Sequence, residues 1–490
     1  MSHDNGSDSH GWNGGPNSGD PDQQGDMNGQ APDGNEDGDD RSMAPPPPPP
    51  PPPVNADVVP QQFVAFVNGL PTGFVQGFEA ETVGGMPWTA QVLTDTAYML
   101  PPVTQPTMVF AAFSTPQSSP LLLSGDMTVG LINDSGVPLT VADSATPYQY
   151  IASGTGGMTL FAQANAGSFV AEGGSNAVVL GSGLTGGWSI DMLGGNNQIW
   201  ASSGNDTVQT AAGSTNLVDL GSGNNLAMSG GTDVFFAGAG DDTINATGSN
   251  VSVVGGSGIL TFLDASTVPG GQNALIFAGS GAINVNGGLG SVTVVSGAGG
   301  GNVIGGSAGN NVLFAGGGPV TMQGGGAGDM LLGSGSGGDL LLAGSGNETL
   351  LASQAGNTTI GGGTGNDMIV LTGGDNTVIG GSAGSDLIWS GGGNASIAGG
   401  AAGLNVIGGA GNDTVQAGSG TDAFTFINGL AGGSMVINNF NTATDSIVLD
   451  GYAANSASVA TAGGSTTVTL SDNTKIELIG VTHLPGSAIV

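Results

Sequence analysis

"GGGTGNDMIVLTGGDNTVIGGSAGSDLIWSGGGNASIA", from Gly361 to Ala398, is one pattern written twice. Cut after Ile379, its halves align over 19 positions, and the next stretch, GGAAGLNVIGGAGNDTVQA from Gly399 to Ala417, aligns a third time. Each unit holds Gly-rich turns, an Asp or Asn where a turn ends, and a short apolar run, with a half-period near nine. A turn–strand unit of this size cannot bury an apolar face alone. Stacked copies can, so a fixed short period predicts a solenoid with a continuous core. Outward from this stretch the pattern loosens but persists, as in AGSGNETLLA from Ala343, GGSAGNNVLFAGGG from Gly305, AGAGDDTIN from Ala237 and ASSGNDTVQ from Ala201.

Composition narrows the class. Of 490 residues, 97 are Gly. Gly is costly inside helices, and the every-third-residue register of collagen is absent, so short strands between Gly-dense turns remain and the fold is all-β. Asp plus Glu number 37 against 2 Lys plus Arg, a net charge of -35, and the basic residues are Arg41 and Lys475. A phosphate-backbone binder needs a basic footprint, so nucleic acid is excluded as a partner, and anionic membrane surfaces with it. Unpaired carboxylates on a folded chain call for a cationic partner, most simply Ca²⁺. Cys is absent, which removes disulfides and thiolate metal sites. No apolar run reaches transmembrane length, and MSHDNGSDSHGWNGG has neither a basic n-region nor an apolar h-region. Export is therefore expected to proceed without an N-terminal signal peptide. His3, His10 and His483 offer no positioned base for a Ser–His–Asp site.

Four segments are expected. Residues 1–59 read as a disordered acidic tail and a polyproline spacer, Pro45 to Pro53. Residues 60–150 read as a small β module with Phe63, Phe66, Phe74, Phe78 and Trp88 in its core. The repeats occupy 151–425, best in 324–425, and 426–490 reads as a strand-rich cap over the last edge.

Two segments satisfy G-G-x-G-x-D-x-U-x, with U a large apolar residue, at every fixed position: Gly362 to Val370 and Gly408 to Gln416. Ala417 to Thr425 follows as a one-substitution copy. On these residues the region resembles the RTX, or hemolysin-type, calcium-binding repeat family. The closing segment, with NNFNTATDSIVLDGY and TVTLSDNTKIELIGVTHL, resembles the C-terminal region of type I secretion substrates. The resemblance implies a right-handed parallel β-roll in which two nonapeptides, each a turn and a short strand, complete one coil. It implies Ca²⁺ between stacked turns, held by aspartates and backbone carbonyls, with Gly362, Gly363, Gly365, Gly408, Gly409 and Gly411 forming the turns. Two departures stand out: coils of 19 rather than 18 residues, and Asn where the motif has Asp, as at Asn225, Asn311 and Asn405.

The period also sorts the acids. Residues one coil apart should stack, so one edge reads Glu348, Asp367, Asp386, Asn405 and the other Gly356, Asp375, Asn394, Asp413. Carboxylates stacked about 5 Å apart, at strand spacing, repel unless a cation lies between them. Ca²⁺ is therefore expected between Glu348 and Asp367 and between Asp367 and Asp386, with Asp413, Asp422, Asp339, Asp206 and Asp242 as further candidate ligands. The competing reading is that Asp and Asn serve the turns by bonding nearby backbone. The function expected is an exported, non-catalytic calcium-binding roll with a structural, surface, matrix or adhesive role. Its partners would be a glycan or cell-surface component and a type I secretion channel. The alternative is an exported carbohydrate-active enzyme using the array for secretion and folding, although acidic-sugar chemistry would want cations that are absent between Arg41 and Lys475.

Overall fold

A computed structural model describes Thr89–Thr94, Val103–Phe113 and, apart from short breaks, residues 116–490. These belong to one unit, Pro53–Val490. The expected tail, the proline spacer and the aromatic residues between Phe63 and Trp88 lie outside the described residues.

The chain forms a parallel β-solenoid of about 16 turns over residues 121–450. Each coil supplies one short strand to each of two parallel sheets. A strand places alternate side chains on opposite faces, so an apolar residue between two polar ones buries one side chain per strand. In one sheet Leu331, Leu350, Ile369, Ile388 and Val406 stack in register and are fully buried. In the facing sheet Leu341, Ile360, Val378, Ile397 and Val415 do the same. Each such side chain contributes about 2 kcal/mol of transfer free energy. The core is thus two facing columns of aliphatic residues, extended coil by coil.

The sheet runs through residue 150 without a break. Val103–Phe113 pairs in parallel with Gly125–Asn133, that strand with Gln149–Ser153, and that one with Gly167–Ala171. The described strands from Val103 to Ser153, expected to belong to a separate module, are early coils of the same roll. Their strands alternate like the rest, as in the buried positions of Leu139–Asp143, but their turns are not Gly-dense, which hid the repeat.

The same holds beyond residue 426. Asn412–Gln416 pairs in parallel with Ser434–Asn438, and Ala423–Ile427 with Ser446–Asp450. The non-repetitive cap begins after Asp450. There Ser458–Ala462, Ser465–Thr469 and Lys475–Leu478 form an antiparallel meander whose last strand lies on Ser434–Asn438 and covers the final edge.

Candidate metal centre

The turn aspartates point inward, not out to solvent. Asp206, Asp242, Asp339, Asp367, Asp386, Asp413 and Asp422 are all buried, as is Glu348. Each aspartate carboxylate joins two coils. The backbone N–H of Glu348 donates to Asp367 Oδ1 at 2.8 Å, and that of Gly363, in Asp367's own turn, donates to Oδ2 at 3.3 Å. Asp386 repeats this with the N–H groups of Asp367 (3.2 Å) and Gly381 (2.8 Å), and Asp422 with those of Leu404 (2.9 Å) and Gly418 (2.8 Å). Asn does the first half of the task, as where the N–H of Asn176 donates to Asn197 and that of Asn197 to Asn216.

The residue before the aspartate runs a second ladder in the opposite sense. Asn347 Oδ1 accepts from the N–H of Asn366, and Asn366 Oδ1 from that of Ser385, each one coil onward. The recurring Asn-Asp pair therefore staples each coil both ways, the Asp to the coil before and the Asn to the coil after. A buried backbone N–H left without an acceptor is costly, which is why the pair recurs.

The turn glycines are needed for close approach. A Cβ at Gly363 would sit 2.1 Å from the Gly344 carbonyl oxygen, and one at Gly365 1.6 Å from that of Gly346. At Gly409 and Gly411 the carbonyl oxygens of Gly391 and Gly393 would lie at 1.7 Å. Gly362 is held by Gly381 N and Asp386 Oδ2, each 2.7 Å from its would-be Cβ, and Gly408 by the Phe426 ring at 2.7 Å. The turns thus stack with backbone carbonyls against the next turn's α-carbons.

One rung differs. Asp329, Glu348, Asp367 and Asp386 follow one another in register in a single column. Glu348 is 3 % exposed, and neither of its carboxyl oxygens has a hydrogen-bond donor. The group that lies against it is the Asp367 carboxylate. Two carboxylates cannot bond unless a proton or a cation lies between them. Burial, then Asp367, then the charges of Asp329 and Asp386 hold the Glu348 carboxyl well above the usual glutamate range. Burial also raises Asp206, Asp386 and Asp422, and pushes Asp242 and Asp413 up to about 6.

The expected edges are partly right. Glu348, Asp367 and Asp386 do stack, but Leu404, not Asn405, is next, followed by Asp422 and Asp445. The second column reads Asp339, Thr358, Asn376, Ala395, Asp413, so Gly356, Asp375 and Asn394 are not in it. A constant 19-residue step fails because coil length varies, with cross-coil bonds spanning 17 residues at Asn216–Asp233 and 23 at Asp422–Asp445. Asp206, Asp242, Asp339 and Asp413 therefore line the opposite sheet from Glu348, Asp367, Asp386 and Asp422. Two members were missed. Asp329 lies one 19-residue step before Glu348 and was within reach of the same argument; Asp445 lies in Gly-poor sequence and was not.

The residues fit a calcium ion best at Glu348 and Asp367. The donor set is hard oxygen, and the Glu348 oxygens are buried with nothing to satisfy them. Among the described residues no three acidic or imidazole groups converge on one point. A cation here would therefore draw most of its ligands from backbone carbonyls of the stacked turns. At the other candidate aspartates at least one carboxylate oxygen already accepts a backbone N–H of a neighbouring coil.

The profile described as the RTX calcium-binding nonapeptide repeat matches residues 193–227, 229–259, 296–325, 353–382 and 405–425. The chain carries that repeat, and RTX nonapeptide repeats are calcium-binding. The matched segments contain Asp206, Asp242, Asp367, Asp413 and Asp422, while Asp339, Glu348 and Asp386 lie between them. No curated protein matches the chain.

Proposed function

We propose that this chain is an exported, non-catalytic scaffold whose buried acidic column is completed by calcium. The observation that carries the reading is Glu348, a buried carboxyl with no donor, stacked between Asp329 and Asp367 in a chain almost without cations. Calcium, when bound, supplies positive charge and oxygen coordination at that point. Glu348 and Asp367 would hold it, and Asp329 and Asp386 would add negative potential along the column.

Proteins with these repeats are typically secreted, and among the described residues no helix is long and apolar enough to cross a membrane. Low calcium inside a cell leaves the acidic column strained. Millimolar calcium outside stabilises the folded roll, because a ligand that binds only the folded state shifts folding as its concentration passes Kd. The closing segment 426–490 as a whole resembles that region of type I substrates, and we assign the address to its part after Asp450. The role is structural or adhesive, at the cell surface or in a matrix.

The test is export in the native host of the full chain against a chain ending at Asp450, which leaves the coils uncut. Retention of the shortened chain in the cell is expected. Undiminished export would refute a C-terminal address.

A further inference from the structure

The two outer faces of the roll differ in chemistry. On the sheet that includes Asp242–Ala246, one outward column is polar, with Thr243, Thr261, Asn284, Asn302 and Thr321 in register, and its neighbour alternates polar Asn245, Asn286 and Gln323 with Leu263 and Ile304. On the other sheet, one outward column is apolar for fourteen successive coils apart from a single acid. Its aromatic members are Phe161, Trp200, Phe236, Phe277, Phe314 and Trp389. They begin at every second coil, with Val179, Asp219, Val254 and Val295 in the coils between. Leu332, Leu351 and Val370 separate Phe314 from Trp389, and Ile407 closes the run. The small residues Ala142 and Thr425 flank it at either end.

These side chains are open to solvent. Phe161 is 45 % exposed, Phe277 44 % and Trp389 42 %. The neighbouring outward column adds Leu217, Leu275, Met330, Met368 and Leu387 and carries no charge. A third, with Asn196, Thr215, Thr232 and Asn250, forms a polar margin. An apolar centre beside a polar rim is the anatomy of a protein interface, and a stripe this long exceeds the scattered apolar residues of ordinary surfaces.

We propose that this face binds a second copy of the same chain, face to face, about a two-fold axis. The axis lies along the strands between the coils of Phe277 and Val295. The corrugation supports this occupant. An array of fourteen coils turned about its midpoint sets each odd coil against an even one. Phe277 then meets Val295, Phe236 meets Leu332 and Phe314 meets Val254. Trp200 meets Val370, Trp389 meets Val179, and Phe161 meets Ile407. Every aromatic side chain faces an aliphatic one, and the flanking Ala142 and Thr425 face each other. A second copy has the same coil pitch by identity, so the match holds along the whole stripe.

The area is sufficient. Coils at strand spacing make the stripe about 60 Å long, and two columns about 13 Å wide give about 800 Å² per copy, the size of a standard stable interface. The misfit is Asp219, which would be set against the partner's Leu351 and stripped of water, twice per dimer.

Sedimentation of the full chain with Ca²⁺, from micromolar to hundred-micromolar concentration, tests this, in about 0.5 M NaCl to screen repulsion between the acidic bodies. A particle of twice the 47.2 kDa chain mass is expected. Asp219→Val should tighten the dimer at least about tenfold by removing two buried charges. Phe236→Glu and Phe277→Glu should give monomers, while Thr261→Glu on the polar face should not, all with unchanged circular dichroism. A wild-type monomer throughout overturns the proposal, whether or not it adsorbs to neutral phosphatidylcholine vesicles. So does an Asp219→Val variant that associates no better than wild type.

Discussion

Replacing Glu348 with Asn should move two properties in opposite directions. At the other acidic positions of its column the Asp accepts the N–H of the preceding coil, as Asp329 does from Asn311 and Asp367 from Glu348. Glu348 is one methylene too long for that rung, and both its oxygens lack a donor. Asn at this position restores an acceptor of the right reach, worth about 1 kcal/mol, and removes a buried carboxyl whose unsatisfied state costs about 1–3 kcal/mol. The lost methylene takes back about 0.8 kcal/mol of burial. The metal-free protein should therefore gain about 1–3 kcal/mol, read as a higher Tm in EGTA. Calcium affinity should fall at least about tenfold by calorimetry, because the charge that draws the ion is gone. A variant less stable than wild type without calcium, or one that binds calcium equally well, would refute the reasoning.

Two further outcomes follow from the same geometry. Gly365→Ala should destabilise the roll severely, because its Cβ would lie 1.6 Å from the Gly346 carbonyl oxygen, whereas Gly392→Ala, with nothing within 4 Å, should leave the Tm unchanged or slightly raised. Asp191, whose Oδ1 is buried without a partner, is pushed by burial up to about 6. Its folded value is above the unfolded one, so stability present below the unfolded pKa of 3.8 is lost as pH rises through about 6. Asp191→Asn should accordingly raise the Tm at pH near 7.5 and have much less effect near pH 5; an equal gain at both would contradict this.

The repeat in Gly361–Ala398 carries the fold, since the period of turns and apolar residues maps directly onto coils. What it does not carry is where the roll stops. The strands at Gly125–Asn133 and Ser446–Asp450 join the same sheets, but the sequence around them lacks the regularly spaced glycines that made the repeat visible. The stacking of Glu348, Asp367 and Asp386 was legible because three successive coils there share one length. At Asn405 and Asp375 a one-residue change in coil length moved the polar side chain out of the column, and only the register reveals it. The task of the Asn-Asp pair was also hidden. Both residues suit turns, but that one staples backward and the other forward depends on which side of the stack each side chain occupies.

Calcium is expected to complete one part of an otherwise self-stapled roll. Hydrogen exchange of backbone amides, with EGTA and then with millimolar Ca²⁺, tests it most directly. Protection should rise chiefly in residues 344–390, where three acids stack in successive coils, and little in 193–219, where Asn197 and Asn216 already close their rungs. Equal protection of both segments by calcium, or no change in 344–390, would contradict the account.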